Sequence, residues 1–546
     1  MSVTWDPPGP GQWALDQSHT PAGCTPLVQE LMRQTSPVAM RRVFAELGAP
    51  VETLSIEFVN GCLYSRLRPL IRPDKPSTKL PPLMLLRLAA RVHPEMRRRA
   101  RTATRVLAEE PWDAVIADWN AGGRAAIVAG NMELQSVPLQ GCSDAELMAH
   151  VRACWENCVR NWQHHFWLHG YDLGPLGRYL FTGEQWGLSA GQMLPLLQGA
   201  SPSTSGPLRE AAAIQALVAA TGAEPATLTE LCALSTPVAE AVERYLEHRR
   251  WVLVSRYDVD GFTLGERPDI VFATIMGARE LASSDATDRH TATVRQLVPA
   301  AHRDEFDRLL ASARSALDLR DDNGPVTAEW TVGLLRRALL EVGERLVAAG
   351  RVGDRNLVME LLPTEALGGD IDGLPDESVL RARLAMRQMQ RTLAPPPLLG
   401  PAEVAPPLSV LPPALAEMVG TVQTVVRHMG MDGGTLSSGM HGAGIGNVSF
   451  TGIARVAASP EEALDRLAPG EVLVVACTTP AYNLVQSFAG AVVTSAGGPM
   501  SHAAVIAREL GIPAVIGARS ALSDIPNGAL VEVDPVAGVV RVLSAP

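Results

Sequence analysis

The chain has 546 residues, 47% of them hydrophobic and 19% charged, with a formal net charge of -11. This balance excludes a disordered chain, and the acidic excess argues against a nucleic-acid partner. No secretory leader and no run of ~18 uninterrupted apolar residues is visible, so a cytoplasmic protein of two to four domains, without a membrane segment, is expected.

Residues 1–30 read as irregular, with Pro and Gly clusters. From about 26 to 390 the pattern is mostly helical. Apolar residues recur every three or four positions through Ala145–Leu168 and Trp330–Gly350, and further helices are expected over 82–109, 207–221, 236–249 and 377–393. The short basic run Arg97–Arg101 fits a solvated helix face. Loops are expected at 200–206 and 320–325. The cysteines at 24, 62, 142, 154, 158, 232 and 477 have no paired spacing, which suits reduced thiols. Cys154 and Cys158 share a helix face with Leu147, Val151, Trp155 and Trp162, a core pattern.

Composition changes after residue 393. The stretch 394–413 carries eight prolines and 429–446 is rich in Gly and Ser, a stiff connector followed by a flexible one. Beyond it, β-type runs at 471–476, 490–494, 513–517, 529–534 and 538–543 surround a helix from His502 to Leu510, closed by Gly511 and Pro513. The expected fold is therefore multidomain: a large, mainly α-helical body (1–393), a linker (394–446) and a C-terminal α/β domain (447–546).

His502 stands at the start of that helix. The strand ending at Thr494 runs into Ala496-Gly497-Gly498, where absent side chains let backbone N–H groups approach an anion, and the helix aims its positive end there. Ser501 adds a hydroxyl and Arg508 a charge. On spacing alone two readings stay open: a phosphorylatable imidazole in an anion site, or a serine N-cap followed by an ordinary first-turn histidine.

The stretch "GGPMSHAAVIARELGIPAVIG" (497–517) resembles the phosphohistidine swivelling domain of phosphoenolpyruvate-utilising enzymes. The similarity continues upstream through 452–485, including Thr479-Pro480, and downstream through 525–543. It implies that His502 carries a phosphoryl group, with Thr494, Gly497, Gly498, Ser501 and Arg508 around it. Ser495 departs from the pattern, since many relatives have an acidic residue there.

More weakly, the body resembles the substrate-binding part of rifampicin-phosphotransferase-like and phenylphosphate-synthase-like proteins, through 11–27, 250–268 and 320–367. Arg320 and Asp321 match the first two positions of an Arg-Glu-x-x-Lys pattern, but Gly324 replaces the lysine, and Val252 stands where arginine is frequent. Transfer to a hydroxyl needs cations around the moving phosphoryl group and a base near the acceptor. Arg320 is the first candidate cation, followed by Arg337 and Arg256, all of which also fit surface or ion-pair arginines. Asp321, Asp258 and Glu266 are candidate bases, metal ligands or arginine partners; the last two equally fit turn and cap positions. Trp162, His164, His165 and His169 cluster on one helix and fit an aromatic acceptor pocket or plain core packing. A metal site is not expected, because no acidic third ligand follows at suitable spacing.

No ATP-grasp module is recognisable in the helical body, and no (β/α)₈ barrel follows residue 543. The resemblance therefore implies a phosphotransferase whose His502 is loaded, at the expense of ATP and Mg2+, by a separate ATP-grasp subunit. The phosphohistidine would then pass its phosphoryl group to a small, aromatic hydroxyl compound. An enzyme that phosphorylates an antibiotic or natural product, and a non-catalytic phosphocarrier, are the alternatives.

Overall fold

In a computed structural model of the chain, the described residues are 3–16, 23–278, 285–430, 439–478 and 482–546. Thr479-Pro480, and parts of the 11–27 and 429–446 stretches, lie outside them. The chain divides into two compact units: Met1–Tyr171, Arg256–Gly261 and Asn323–Gly420 form the first, and Asp172–Ser255, Phe262–Asp322 and Thr421–Pro546 the second.

The first unit is mainly helical, built on Pro26–Leu47, the part of the Asp144–Gln185 helix up to Tyr171, Trp330–Ala348 and Glu377–Arg391. Thr25 N-caps the first of these helices and accepts from the Val28 N–H. Cys154, Cys158 and Trp162 are all buried, as their shared helix face predicts. The unit also holds a four-stranded sheet that the helical reading of 26–390 did not include. Its order is β2 (Val51–Val59), β3 (Cys62–Pro69), β1 (Trp13–Leu15) and β4 (Leu398–Leu399), all antiparallel. The β2–β3 hairpin turns at Asn60-Gly61, both at positive φ (49° and 76°), a pair that suits a tight hairpin turn. Leu398–Leu399 belongs to the proline-rich stretch, which is thus partly strand-paired, and Tyr64 donates its hydroxyl to the Pro396 carbonyl at 2.7 Å.

Three local expectations are corrected. The 82–109 helix is two helices, Leu83–Val92 and Pro94–Glu109, because Pro94 holds His93 in extended backbone. Residues 202–206 are helical: Ser201 caps a helix over Pro202–Ala219, with proline at its first position. Residues 320–325 are not a loop either. The Arg303–Asn323 helix continues into a π-turn, Gly324–Glu329, and then into Trp330–Ala348. The wider turn accommodates Pro325, which has no N–H to give to an α-helical ladder. Within 394–446, a helix covers Pro413–His428.

The second unit combines helices such as Pro202–Ala219, Thr236–Glu247 and Pro268–Met276, packed through Ile214, Val238, Val242, Ile270 and Ile275, with a seven-stranded sheet. The sheet order is β11 (Val539–Ser544), β10 (Leu530–Asp534), β6 (Phe450–Val456), β7 (Val472–Val475), β8 (Ala491–Thr494), β9 (Ala514–Ile516) and β5 (Ala443–Ile445). Strands β6 to β9 run parallel, with antiparallel partners at both edges. Five of these strands follow the expected β-type runs; β5 and β6 were not anticipated. Every residue of β7 and β8 is buried, as parallel strands covered on both faces require. Leu473, Val475 and Val492 pack to one side with Ala503, Ala504 and Ala507 of the His502–Leu510 helix, while Val472, Val474 and Val493 pack to the other. Among the described residues no helix is long and apolar enough to cross a membrane.

Candidate functional site

His502 opens its helix just beyond the carboxyl ends of β7 and β8, where open parallel sheets place their ligands. Thr478, three residues past β7, lies with its Oγ1 2.9 Å from His502 Nδ1. That contact fixes the ring and leaves Nε2 as the other nitrogen. Desolvation, and then the charge of Arg320, lowers the His502 pKa to about 3, so the imidazole is neutral at physiological pH. Ser501 is the N-cap residue but its side chain makes no cap bond. Its Oγ is buried and, among the described residues, without a hydrogen-bond partner.

Arg320 belongs to the same unit. It donates to Asp172 Oδ1 at 3.3 Å, and Met429 Sδ lies 3.6 Å from the guanidinium. Asp172 is fully buried, so this ion pair holds the cation in place. Asp321, next in sequence, accepts from Thr204 Oγ1 at 3.0 Å, and burial raises its pKa to about 6. Glu509, which accepts from the Gly199 N–H at 2.8 Å, is also raised to about 6 by burial, with Asp321 adding repulsion.

The other residues expected around the phosphoryl group have different immediate duties. Thr494 is fully buried; its hydroxyl donates to the Ala496 carbonyl at 2.7 Å and accepts from the Gly517 N–H at 3.2 Å, locking the turn. Gly497 has φ 100°, a conformation that favours glycine. A Cβ on Gly498 would lie 2.4 Å from the His428 carbonyl oxygen, so this glycine makes room for the end of the Pro413–His428 helix. Arg508 sits in the last turn of the His502 helix, and burial lowers its pKa to about 10.

In the first unit, Asp258 is buried and accepts from Thr25 N (2.8 Å) and Thr25 Oγ1 (2.5 Å), supporting the cap of the Pro26–Leu47 helix. Burial, and then neighbouring Asp260, raises its pKa to about 7. Arg256 lies 3.7 Å from Asp260. Arg337 donates to the carbonyls of Gln135 (2.8 Å) and Val137 (2.7 Å), closing the end of the Arg124–Ser136 helix. Glu266, in the second unit, accepts from Thr263 N and Oγ1 in a capping box.

Trp162 donates to the Ala328 carbonyl at 3.3 Å, and His165 Nδ1 lies 3.1 Å from Thr327 Oγ1. The His165 and His169 rings stand 4.5 Å apart, edge to face. Trp162 and His165 therefore pack against the π-turn, with His169 beside His165. His164 instead stacks between Trp119 and Trp167 and lines a recess of about 530 Å³ with Asn157, Arg160 and Asn161. Sequence reasoning missed Glu329, a buried carboxyl on the π-turn hydrogen-bonded to Tyr257. Its signal was the Gly324-Pro325 pair inside an otherwise helical run. Among the described residues, no group of three or more His, Cys, Asp or Glu side chains is arranged to hold a metal ion.

Residues 467–538 match the family model described as the mobile domain of PEP-utilising enzymes. An uncharacterised protein of Mycobacterium tuberculosis is 36% identical over 220 residues, 40% of this chain and 22% of its own length. The uncharacterised phosphotransferase YvkC of Bacillus subtilis is 29% identical over 243 residues, 44% of this chain and 28% of its own. Phosphoenolpyruvate synthase of Aeropyrum pernix is 44% identical over 90 residues, 16% of this chain and 11% of its own. The matched stretch thus spans 22% and 28% of the first two relatives. The C-terminal part of this chain therefore contains the mobile domain of the phosphoenolpyruvate-utilising enzymes.

Proposed function

We propose that the chain is a phosphohistidine phosphotransferase component in which His502 Nε2 takes up a phosphoryl group and passes it to a hydroxyl. The observation that carries this reading is the neutral imidazole at a helix N-terminus, held through Nδ1 by Thr478 and under the charge of Arg320. The match to the mobile-domain family adds to it, as does the similarity to a protein described as a phosphotransferase.

The residues divide the work. Thr478 orients the ring so that Nε2 is the nucleophile. The first N–H groups of the His502 helix, the Ser501 hydroxyl, which has no partner among the described residues, and Arg320 offset the negative charge of the phosphoryl group. Arg320 remains in position because Asp172 holds it. ATP and Mg2+ would be bound by an ATP-grasp partner on a separate chain, which loads His502 and leaves AMP and phosphate. The linker 394–446 serves as a swivel in this reading, moving His502 between the partner and the helical body. The acceptor is a small hydroxyl compound with an aromatic skeleton, bound by the helical body in surroundings rich in Trp, Tyr and His.

The test is a chase. Protein phosphorylated on His502 is separated from ATP and mixed with phenol, benzyl alcohol and related hydroxyl compounds. Appearance of an acid-stable phosphate ester, matched by loss of the acid-labile group from the His502 peptide, is the expected result. Loss to water alone with every hydroxyl compound would count against an enzymatic role and favour the simple carrier.

A further inference from the structure

The recess of about 530 Å³ beside His164 lies wholly within the first unit, and the relay described so far leaves it unused. Its lining comes from Pro26–Leu47, Arg124–Ser136, the part of Asp144–Gln185 up to Tyr171, and the π-turn Trp119–Gly123. Small residues keep it open. A Cβ placed on Gly130 would meet nothing within 4 Å, apart from its chain neighbours and the local helix backbone. Glycine is a poor helix former, so a larger residue there would serve the Arg124–Ser136 helix better. Ile127, and Trp167 stacked on His164 at 5.4 Å and 22°, give the lining an apolar and aromatic part. The polar part is a chain of amides. Asn157 and Asn161 are 3% and 5% exposed. Asn157 Nδ2 donates to Asn131 Oδ1 (2.9 Å), and Arg160 donates to Asn157 Oδ1 (3.0 Å). Asn161 Nδ2 donates to the Asn157 carbonyl (3.0 Å) and to its Oδ1 (2.8 Å), which fixes the orientation of the Asn161 amide. Among the described residues, no hydrogen bond reaches Asn161 Oδ1. A nearly buried acceptor left unmet beside a cavity is costly, and it suits a ligand that brings a donor. Arg42, in the same lining, is already paired with Glu46 at 2.8 Å.

We infer that this recess is the acceptor site, holding an aromatic hydroxyl compound with its rings against Ile127 and Gly130 and its hydroxyl donating to Asn161 Oδ1. The inference rests on the proposed phosphotransferase reading and gives its acceptor a place in the first unit. Volume sets the size class. Sites of roughly 300–1,000 Å³ take drug-sized molecules, so 530 Å³ is roomy for one phenol ring and fits a fused or linked pair. The amide oxygen sets the polarity, since it accepts and never donates, and so selects a hydroxyl over an ether. The Trp167 and His164 rings favour an aromatic skeleton over a saturated one. Binding asks nothing of His502, so the site can be measured in the unphosphorylated chain.

The test is isothermal titration calorimetry of the full, unphosphorylated chain with β-naphthol and with β-naphthyl methyl ether, which keeps the rings but cannot donate. β-Naphthol should bind one to one and about tenfold tighter than the ether, in line with one hydrogen bond to a buried acceptor. Asn161→Ala should lose that preference and bind the two compounds about equally, a change that a merely structural asparagine would not produce. Gly130→Leu suits the helix and fills the recess. It should unfold no earlier than the wild type yet bind β-naphthol at least about tenfold more weakly, and it guards against a folding defect in Asn161→Ala. Equal affinity of the wild type for alcohol and ether, or a preference that survives in Asn161→Ala, would overturn the role of Asn161. Wild-type affinity in Gly130→Leu, or no saturable binding of β-naphthol, would overturn the site and leave the relay standing. A chain that binds β-naphthol here but never carries label on His502 would overturn the relay, and the acceptor role with it.

Discussion

Replacing Glu329 with Gln should make the first unit more stable at neutral pH, because Glu329 is a buried carboxyl hydrogen-bonded to Tyr257. In the unfolded chain this glutamate titrates near its ordinary value of 4.5, and in the folded chain burial places it at about 8. Between those values the native state keeps a proton that the unfolded state has released. The stability associated with the group is thus fully present below pH 4.5. It falls by about 1.4 kcal/mol per pH unit as pH rises toward 8, then levels off. From 4.5 to 7 the loss amounts to roughly 3 kcal/mol. Glutamine does not ionise, and its carbonyl can still accept from Tyr257. The two proteins should therefore be nearly equal at pH 4.5, with the variant ahead by roughly 3 kcal/mol at pH 7. Urea unfolding followed by tryptophan fluorescence measures this, since Trp162 and Trp330 are buried in the same unit. A difference independent of pH, or a variant less stable than wild type at pH 7, would refute the reasoning.

Further outcomes are expected in the second unit. Thr478→Val removes the partner of His502 Nδ1; the loss of about 1 kcal/mol of positioning should slow phosphohistidine formation about fivefold, read by acid-labile labelling. Arg320→Gln should move the His502 pKa upward, observed by nitrogen-15 NMR of the imidazole, because its charge is the second cause of the lowered value. Gly498→Ala drives a Cβ into the His428 carbonyl and should cost about 1–3 kcal/mol in thermal unfolding. Because the folded His502 pKa lies below its ordinary 6.5, its contribution is present above pH 6.5 and is lost as pH falls toward 3. His502→Gln should flatten that acid limb by up to about 1.4 kcal/mol per pH unit in a denaturation series.

The C-terminal sheet was readable because short Val- and Ala-rich runs between glycines have few alternatives to buried parallel strands. The place of His502 at a helix start was readable because Gly497-Gly498 precede it and Gly511 closes the helix. Other features were hidden by competing local signals. The Val51–Pro69 hairpin lies in a stretch of otherwise helical character, and the Asn60-Gly61 turn was its clearest mark. Glu329 reads as a solvated charge on an amphipathic helix, and the π-turn rotates it inward, which 3.6-residue periodicity does not anticipate. Gly498 has the right type for an anion loop, but contact with the end of a helix seventy residues upstream already demands glycine there. Asp258 and Arg337 carry suitable charges, and their bonds go to a distant helix cap and to helix-end carbonyls, which only tertiary packing reveals, whereas Glu266 closes a local capping box, a cap role its position already allowed.

The central claim is that His502 carries a phosphoryl group drawn from ATP. Incubating the full chain with a purified ATP-grasp phosphotransfer subunit, in parallel with β-labelled and γ-labelled ATP, tests this most directly. Acid-labile label from the β position on the wild type, absent from His502→Ala, is the predicted result. A wild-type chain that stays unlabelled, or label that persists in His502→Ala, would contradict the account.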